Sequence, residues 1–154
     1  MPKVVVNATK GLVQESGSGH VHLRGSAPAM TVKYAAATAD LGSGSKTYTI
    51  AQLLTGIILC DPTADAAHTL PTNTLLRAGL DDPQTGDCFD FAVINTGSDG
   101  ADEVITVAAG SGGTLVGFGE VACKEGTHDA HSSGSGLFRI RIASDSAYVC
   151  YRLA

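Results

Sequence analysis

The chain has 154 residues, 44% of them hydrophobic, which is enough for the core of one domain without stabilising crosslinks. Ten basic against fifteen acidic residues leave a formal net charge of −5, and the basic residues form no cluster, so the composition argues against nucleic acid as a partner. With 16% charged residues and 19 glycines, the surface is expected to be largely neutral and suited to contact with other subunits.

Residues 1–45 are built from Gly, Ser and Ala with scattered Val, and they show no sustained periodicity. This segment predicts an extended N-terminal arm. Its apolar run at residues 4–6 is too short for a signal peptide, and no stretch of the chain approaches the roughly 20 apolar residues of a membrane span. We therefore expect a protein that is made in a cytoplasm and has no membrane partner.

Residues 46–154 are predicted to form a β module that begins with a mixed segment. Residues 46–54 alternate weakly and are expected to open as a strand. The apolar run continues to residue 60, where Asp61-Pro62 ends it, because the residue before a proline is biased away from helical geometry.

One short helix is predicted within residues 70–80. Pro71 or Thr72 can begin it, the leucines that follow form one apolar face, and Gly79 stands where a left-handed C-cap would fall. The helix is expected to lie across the sheet.

Strict alternation marks two strands, at residues 88–95 and 137–143. The apolar positions are Phe89, Phe91 and Val93 in the first strand and Phe138, Ile140 and Ile142 in the second. Arg139 and Arg141 face the opposite side, where arginines meet solvent, pair with carboxylates, or anchor an acidic neighbouring subunit.

Turn residues separate the strands of the module. The run Asn-Thr-Gly-Ser-Asp-Gly at 95–100 predicts a hairpin loop, and Gly117-Phe118-Gly119 predicts a bend or a tight contact between subunits. We therefore predict a mainly β fold, namely an antiparallel β-sandwich of the jelly-roll type with one short helix and the N-terminal arm.

The four cysteines, Cys60, Cys88, Cys123 and Cys150, form no C-x-x-C pair. We expect four free and mostly buried thiols, since an unpaired cysteine behaves as a small hydrophobe. A cross-strand disulfide between Cys88 and Cys150 is the alternative.

Candidate chemical motifs are incomplete. The run at residues 42–47 resembles a phosphate-binding loop but has Ser45 where that loop requires glycine. Two histidine pairs offer two metal ligands each, namely His20 with His22 and His128 with His131. Zinc needs three or four ligands, so either pair could bind zinc only where a symmetry axis brings the same pair from several subunits together.

The acidic residues Asp99, Asp102 and Glu103 lack the spacing of a calcium loop and are interpreted as a solvated turn. No nucleophile, base and acid set occurs in a catalytic context, and no pair of carboxylates can be placed for glycoside hydrolysis. We predict neither a cofactor nor an enzymatic activity.

Several sequence segments of the β module resemble a known family. They are the run at residues 61–72, the strand and turn at 86–97, Val107-Ala108-Ala109-Gly110, and Phe138-Arg139-Ile140-Arg141. Together they resemble the β-rich virion proteins of tailed bacteriophages and other large double-stranded DNA viruses, which include capsid decoration (cement) proteins and head or fibre components. The resemblance covers roughly residues 50–154 and transfers no functional residue.

The resemblance implies a cement protein on the capsid surface of a virion, with the major capsid protein as partner and a homotrimer as its assembly. The arm would then order on binding and add a strand to a neighbour. The predicted interface residues are Val4, Val5, Val6, Leu12, Val13, Val32, Tyr34, Arg139 and Arg141. The alternative is a tail-fibre, receptor-binding or head-fibre component, which the scarcity of aromatic residues disfavours.

Overall fold

The computed structural model describes residues 3–7, 11–16, 39–80, 82–97, 103–123 and 134–154, and for 3–7, 11–16 and Ala39 it describes the backbone alone. The chain forms two compact units, Met1–Lys33 and Tyr34–Ala154. The first unit contains β1 (Lys3–Asn7) and β2 (Gly11–Ser16), which pair antiparallel in a sheet of their own.

The second unit is mainly β and contains ten strands and two short helices within its described residues. In chain order they are β3 (Ala39–Asp40), β4 (Lys46–Thr47), α1 (Ile50–Leu54), β5 (Ile57–Cys60), β6 (Ala66–Thr69), α2 (Asn73–Ala78), β7 (Cys88–Asn95), β8 (Val104–Ala108), β9 (Gly113–Val116), β10 (Glu120–Ala122), β11 (Gly134–Ser144) and β12 (Ala147–Arg152). Residues 39–45, which the sequence analysis assigned to the arm, supply β3 to this unit and place Leu41 against its core.

The strands form a six-stranded sheet in the order β3-β5-β7-β11-β12-β9 and a four-stranded sheet in the order β10-β8-β6-β4. From β3 to β10 the chain alternates between the two sheets at every strand. Two successive strands of one sheet are therefore connected by a strand of the other sheet. In the six-stranded sheet β5 runs parallel to β3 and β7, and in the four-stranded sheet β6 runs parallel to β4 and β8.

Both sheets are thus mixed, and the predicted antiparallel jelly-roll is not confirmed. The predicted hairpin at residues 95–100 is wrong for the same reason, because β7 and β8 belong to different sheets. Parallel neighbours require a crossover connection, and here the other sheet provides it. Within the described part of the second unit, β11 and β12 are the consecutive strands that do pair as a hairpin.

The buried faces of the two sheets share one hydrophobic core. In the six-stranded sheet, the predicted alternation of β7 and β11 is confirmed, with Phe91 and Phe138 fully buried and their rings stacked at 5.4 Å. Tyr48, which follows β4 of the other sheet, meets Phe91 edge to face at 6.5 Å. Burying a ring of this size contributes about 1.5–3 kcal/mol, so this contact between sheets is a main source of stability.

The single predicted helix corresponds to α2, which Thr72 caps by accepting a hydrogen bond from the Leu75 N–H. Gly79 does end it, but at φ −93° and not in the left-handed region. The second helix, α1, was not predicted. Its signal is a capping box, in which Thr49 accepts from the Gln52 N–H and the Gln52 side chain accepts from the Thr49 N–H.

Candidate interaction surface

One face of the six-stranded sheet points away from the core, and we call it the outer face. Its position follows from the alternation of β11, where the even-numbered residues from Phe138 to Ile142 are buried and the odd-numbered ones are exposed. Residues that pair across neighbouring strands point to the same side of a sheet, so the pairings assign the outer residues of the other strands. The outer face comprises Ile57 and Leu59 of β5, Cys88, Asp90, Ala92 and Ile94 of β7, Leu137, Arg139 and Arg141 of β11, Val149 and Tyr151 of β12, and Thr114 and Val116 of β9.

Exposed apolar side chains concentrate on this face. Among the described residues, six large apolar side chains are exposed, and three of them belong to the outer face, namely Ile57, Leu137 and Val116 at 39–47% exposure. A fourth, Leu153, is 46% exposed and donates its N–H to the Leu137 carbonyl, which places it at the end of the same face. Contiguous exposed apolar residues mark sites of protein contact.

Arg139 and Asp90 form a fixed polar feature in the middle of this surface. Arg139 Nε donates to Asp90 Oδ1 at 2.7 Å and Nη2 donates to Oδ2 at 2.8 Å, a two-point geometry that the direct pairing of the two residues across β7 and β11 imposes. The hydrogen bonds and the charge of Asp90 raise the pKa of Arg139 above its ordinary value. Because both side chains are exposed, the pair fixes orientation more than it stabilises the fold.

Arg141 presents an uncompensated positive charge two residues further along β11. Its cross-strand neighbours are Cys88 and Val149, and it forms no salt bridge with any residue in the described part of the chain. The outer face therefore combines apolar area, one neutralised ion pair and one available guanidinium. This combination suits a partner surface that is apolar and carries a carboxylate.

The cysteines are free, as predicted, and three of the four are buried. Cys88 is exposed on the outer face, whereas Cys150 is fully buried on the inner face. The alternative disulfide between them is excluded because Cys88 shares a pairing row with Arg141 and Cys150 pairs with Ile140, so their side chains leave the sheet on opposite sides.

The N-terminal interface residues are described only in part. The backbones of Val4, Val5 and Val6 pair with those of Gln14, Val13 and Leu12 within the β1–β2 hairpin. Val32 and Tyr34 lie outside the described residues, as do the histidine pairs His20 with His22 and His128 with His131. In the part of the chain that the structure describes, no group of three or more His, Cys, Asp or Glu side chains could hold a metal.

A buried polar cluster in the core was not anticipated from the sequence. His68 is fully buried, its Nε2 lies 3.2 Å from the Gly44 carbonyl and its Nδ1 lies 2.8 Å from the Tyr48 hydroxyl. Since the carbonyl can only accept, Nε2 carries the proton and Nδ1 accepts from Tyr48. The only sequence signal is the alternation of Ala66 and His68 on the buried side of β6.

Burial keeps this cluster neutral. It lowers the pKa of His68, raises the pKa of Tyr48 and raises that of the adjacent Cys60 thiol to about 11. A nucleophile needs the opposite shift, because the thiolate is the reactive form. The cluster is enclosed between the sheets and acts as a hydrogen-bonded part of the core.

The outer-face residues missed by the sequence analysis are Ile57, Asp90, Val116, Leu137 and Leu153. Four of them lie in strands and Leu153 directly follows β12, but the sequence carries no local signal for which strands are neighbours or which strand lies at an edge. Neither of the helices in the described part of the chain has the length and apolar character needed to cross a bilayer. No protein-family model, curated protein or solved structure matches the chain.

Proposed function

We propose that the protein is a non-catalytic attachment protein that binds a neighbouring protein subunit through the outer face of its six-stranded sheet. The observation that carries this proposal is the concentration of exposed apolar residues, with Ile57, Leu137 and Val116 on one face, around the Arg139–Asp90 pair. Following the sequence resemblance, we assign it to the virion as a capsid decoration protein whose partner is the major capsid protein.

The charge of the face supports a protein partner. The chain has five more acidic than basic residues, since ten basic and fifteen acidic residues are present. On the outer face Asp90 is neutralised by Arg139 and Arg141 adds a positive charge, so the acidic excess lies elsewhere. A capsid subunit that offers a carboxylate beside apolar residues could pair with Arg141 in a partly desolvated site, where charge-assisted hydrogen bonds strengthen.

The size of the face indicates that it needs a second contact. Six strands at about 4.8 Å spacing span about 24 Å, and residues 135–141 span about 20 Å, so the face offers roughly 500 Å² of projected area. A stable interface buries about 800 Å² per partner. In our proposal the N-terminal unit supplies the remaining buried area, because an edge strand of its β1–β2 hairpin pairs with a strand of a neighbouring subunit. A homotrimer would make these contacts three times and so strengthen binding.

The test is co-sedimentation with empty shells of the capsid protein. Leu137→Asp places a charge in the centre of the outer face and is expected to reduce binding by at least tenfold. Leu75→Asp is the matched control, because Leu75 is 60% exposed and belongs to α2, which is not part of the six-stranded sheet. Equal binding by the two variants, or a wild-type protein that stays in the supernatant, would contradict the proposal.

The contribution of the N-terminal unit is tested by deleting residues 1–33. This deletion is cleaner than one that extends to residue 45, which would also remove β3 and Leu41 from the second unit. We expect a folded protein with weakened shell binding. Native mass spectrometry of the wild type tests the trimer, and a trimer that pellets only with host cells would favour the fibre alternative.

A further inference from the structure

Glu103 is a buried carboxylate without a compensating charge. It lies just before β8, is 3% exposed, and its Oε2 atom has no hydrogen-bond partner. None of the Lys, Arg or His side chains in the described part of the chain forms a salt bridge with it. A buried carboxylate is strongly destabilising unless a positive group or hydrogen-bond donors compensate it, so Glu103 requires a partner.

Oε2 and two further oxygen atoms lie around one point next to Gly97. A Cβ placed on Gly97 would lie 3.1 Å from Asn95 Oδ1, 3.4 Å from Glu103 Oε2 and 3.6 Å from the Pro62 carbonyl oxygen. These are the three nearest atoms to that point outside the glycine and its chain neighbours, and all are oxygens. They come from the connection after β5, the end of β7 and the residue just before β8.

The neighbouring hydrogen-bond donors leave Glu103 Oε2 without a partner. Asn95 Nδ2 donates to the Glu103 and Val121 carbonyls, at 2.8 and 3.1 Å. The Gly97 N–H donates to Asn95 Oδ1, and the Cys123 thiol donates to the Gly97 carbonyl. Within the described part of the chain, the three atoms found around this point are all acceptors, which is the arrangement that a cation requires.

We propose that Glu103, Asn95 and Pro62 bind a hard metal cation through Glu103 Oε2, Asn95 Oδ1 and the Pro62 carbonyl, with water completing the shell. Carboxylate, amide and backbone oxygens are the ligands of calcium and related ions, whereas zinc prefers nitrogen and sulfur. A single carboxylate corresponds to weak binding, with a Kd of about 0.1–1 mM for Ca²⁺. The ion would link the segments that follow β5, end β7 and precede β8. This inference does not depend on the proposed function.

This site differs from the one that the sequence spacing excluded. The spacing argument concerned Asp99, Asp102 and Glu103 as a continuous calcium loop, and the first two lie outside the described residues. The proposed site uses one of those carboxylates, that of Glu103, with two neutral oxygens from Asn95 and Pro62. No sequence motif can reveal such a set, because the fold brings its members together.

The test is thermal unfolding of the full chain, freed of metal with a chelator, during titration with Ca²⁺, Mg²⁺ or Na⁺ at constant ionic strength. We expect one of these ions to raise the unfolding temperature by roughly 3–5 °C for each tenfold increase in free ion above its Kd. Isothermal titration calorimetry should show one site per chain.

Three variants locate the site. Glu103→Gln removes the charge and keeps the shape, and Gly97→Ala fills the space while keeping Glu103, so both should lose the rise. Glu120→Gln, an exposed glutamate on β10, should keep it. The proposal is overturned if no ion stabilises the wild type, if stability responds to pH but to no metal ion, or if both site variants respond like the wild type. Should Glu103→Gln fail to fold, the wild type and Gly97→Ala still decide the question.

Discussion

Gly79 and Ile50 are packed so closely that no side chain fits between them. A Cβ on Gly79 would stand 1.9 Å from Ile50 Cγ2 and 2.9 Å from Ile50 Cβ. Ile50 begins α1 and Gly79 caps α2, so the missing side chain sets the distance between the two helices. This glycine is required for space and not for its backbone angle, which is one that any residue can adopt.

Gly79→Ala should therefore destabilise the protein by about 1–3 kcal/mol through overpacking. Ile50 is branched at Cβ and cannot rotate its methyl group away at low cost. Chemical denaturation of Gly79→Ala, Ile50→Ala and the double variant measures the effect. The double variant should recover part of the loss, and strictly additive effects would show that the two residues do not interact.

Stability should fall as the pH decreases below about 6.5 because of His68. An unfolded histidine titrates near 6.5, and burial lowers the pKa of folded His68 below that value. In the window between the two pKa values the unfolded state binds more protons, which lowers the free energy of unfolding by up to about 1.4 kcal/mol per pH unit. Denaturation at several pH values should show a shallower decline for His68→Gln, and an unchanged profile would contradict the assignment.

Cys88 should react with a maleimide far faster than the other three thiols. It is exposed on the outer face, whereas the others are buried, and burial raises the pKa of Cys150 to about 12. Mass spectrometry of the labelled native protein is expected to show one rapid modification, which Cys88→Ser removes. In 6 M guanidinium all four thiols should react. Bound shells should protect Cys88, and undiminished labelling of the bound protein would place the interface elsewhere.

Arg139→Ala and Asp90→Ala should each cost less than about 1 kcal/mol of stability, because the pair is solvent-exposed. Shell binding should fall more strongly, since each single variant breaks the Arg139–Asp90 pair and changes the net charge of the outer face. Binding by the double variant should recover part of the loss. A large drop in the denaturation midpoint of either single variant would assign the pair to folding instead of recognition.

Local features of the chain could be predicted because they depend on residues close in sequence. The alternation in β7 and β11 follows from the two-residue period of a strand, and α2 follows from the Thr72 cap and the glycine that ends it. The free state of the cysteines follows from their hydrophobic character. The same kind of local signal, the Thr49–Gln52 capping box, is present for α1, but the prediction for residues 46–54 followed only their weak alternation.

The tertiary structure alone decided which strands meet. Short strands separated by turn residues are compatible both with hairpins and with a chain that crosses between two sheets at each strand, because the turn residues do not encode the partner. The Arg139–Asp90 pair, the apolar outer face and the oxygens around Gly97 join residues tens of positions apart. These residues come together only when the whole core packs. Core packing depends on many weak contacts between distant residues, which no local sequence pattern predicts.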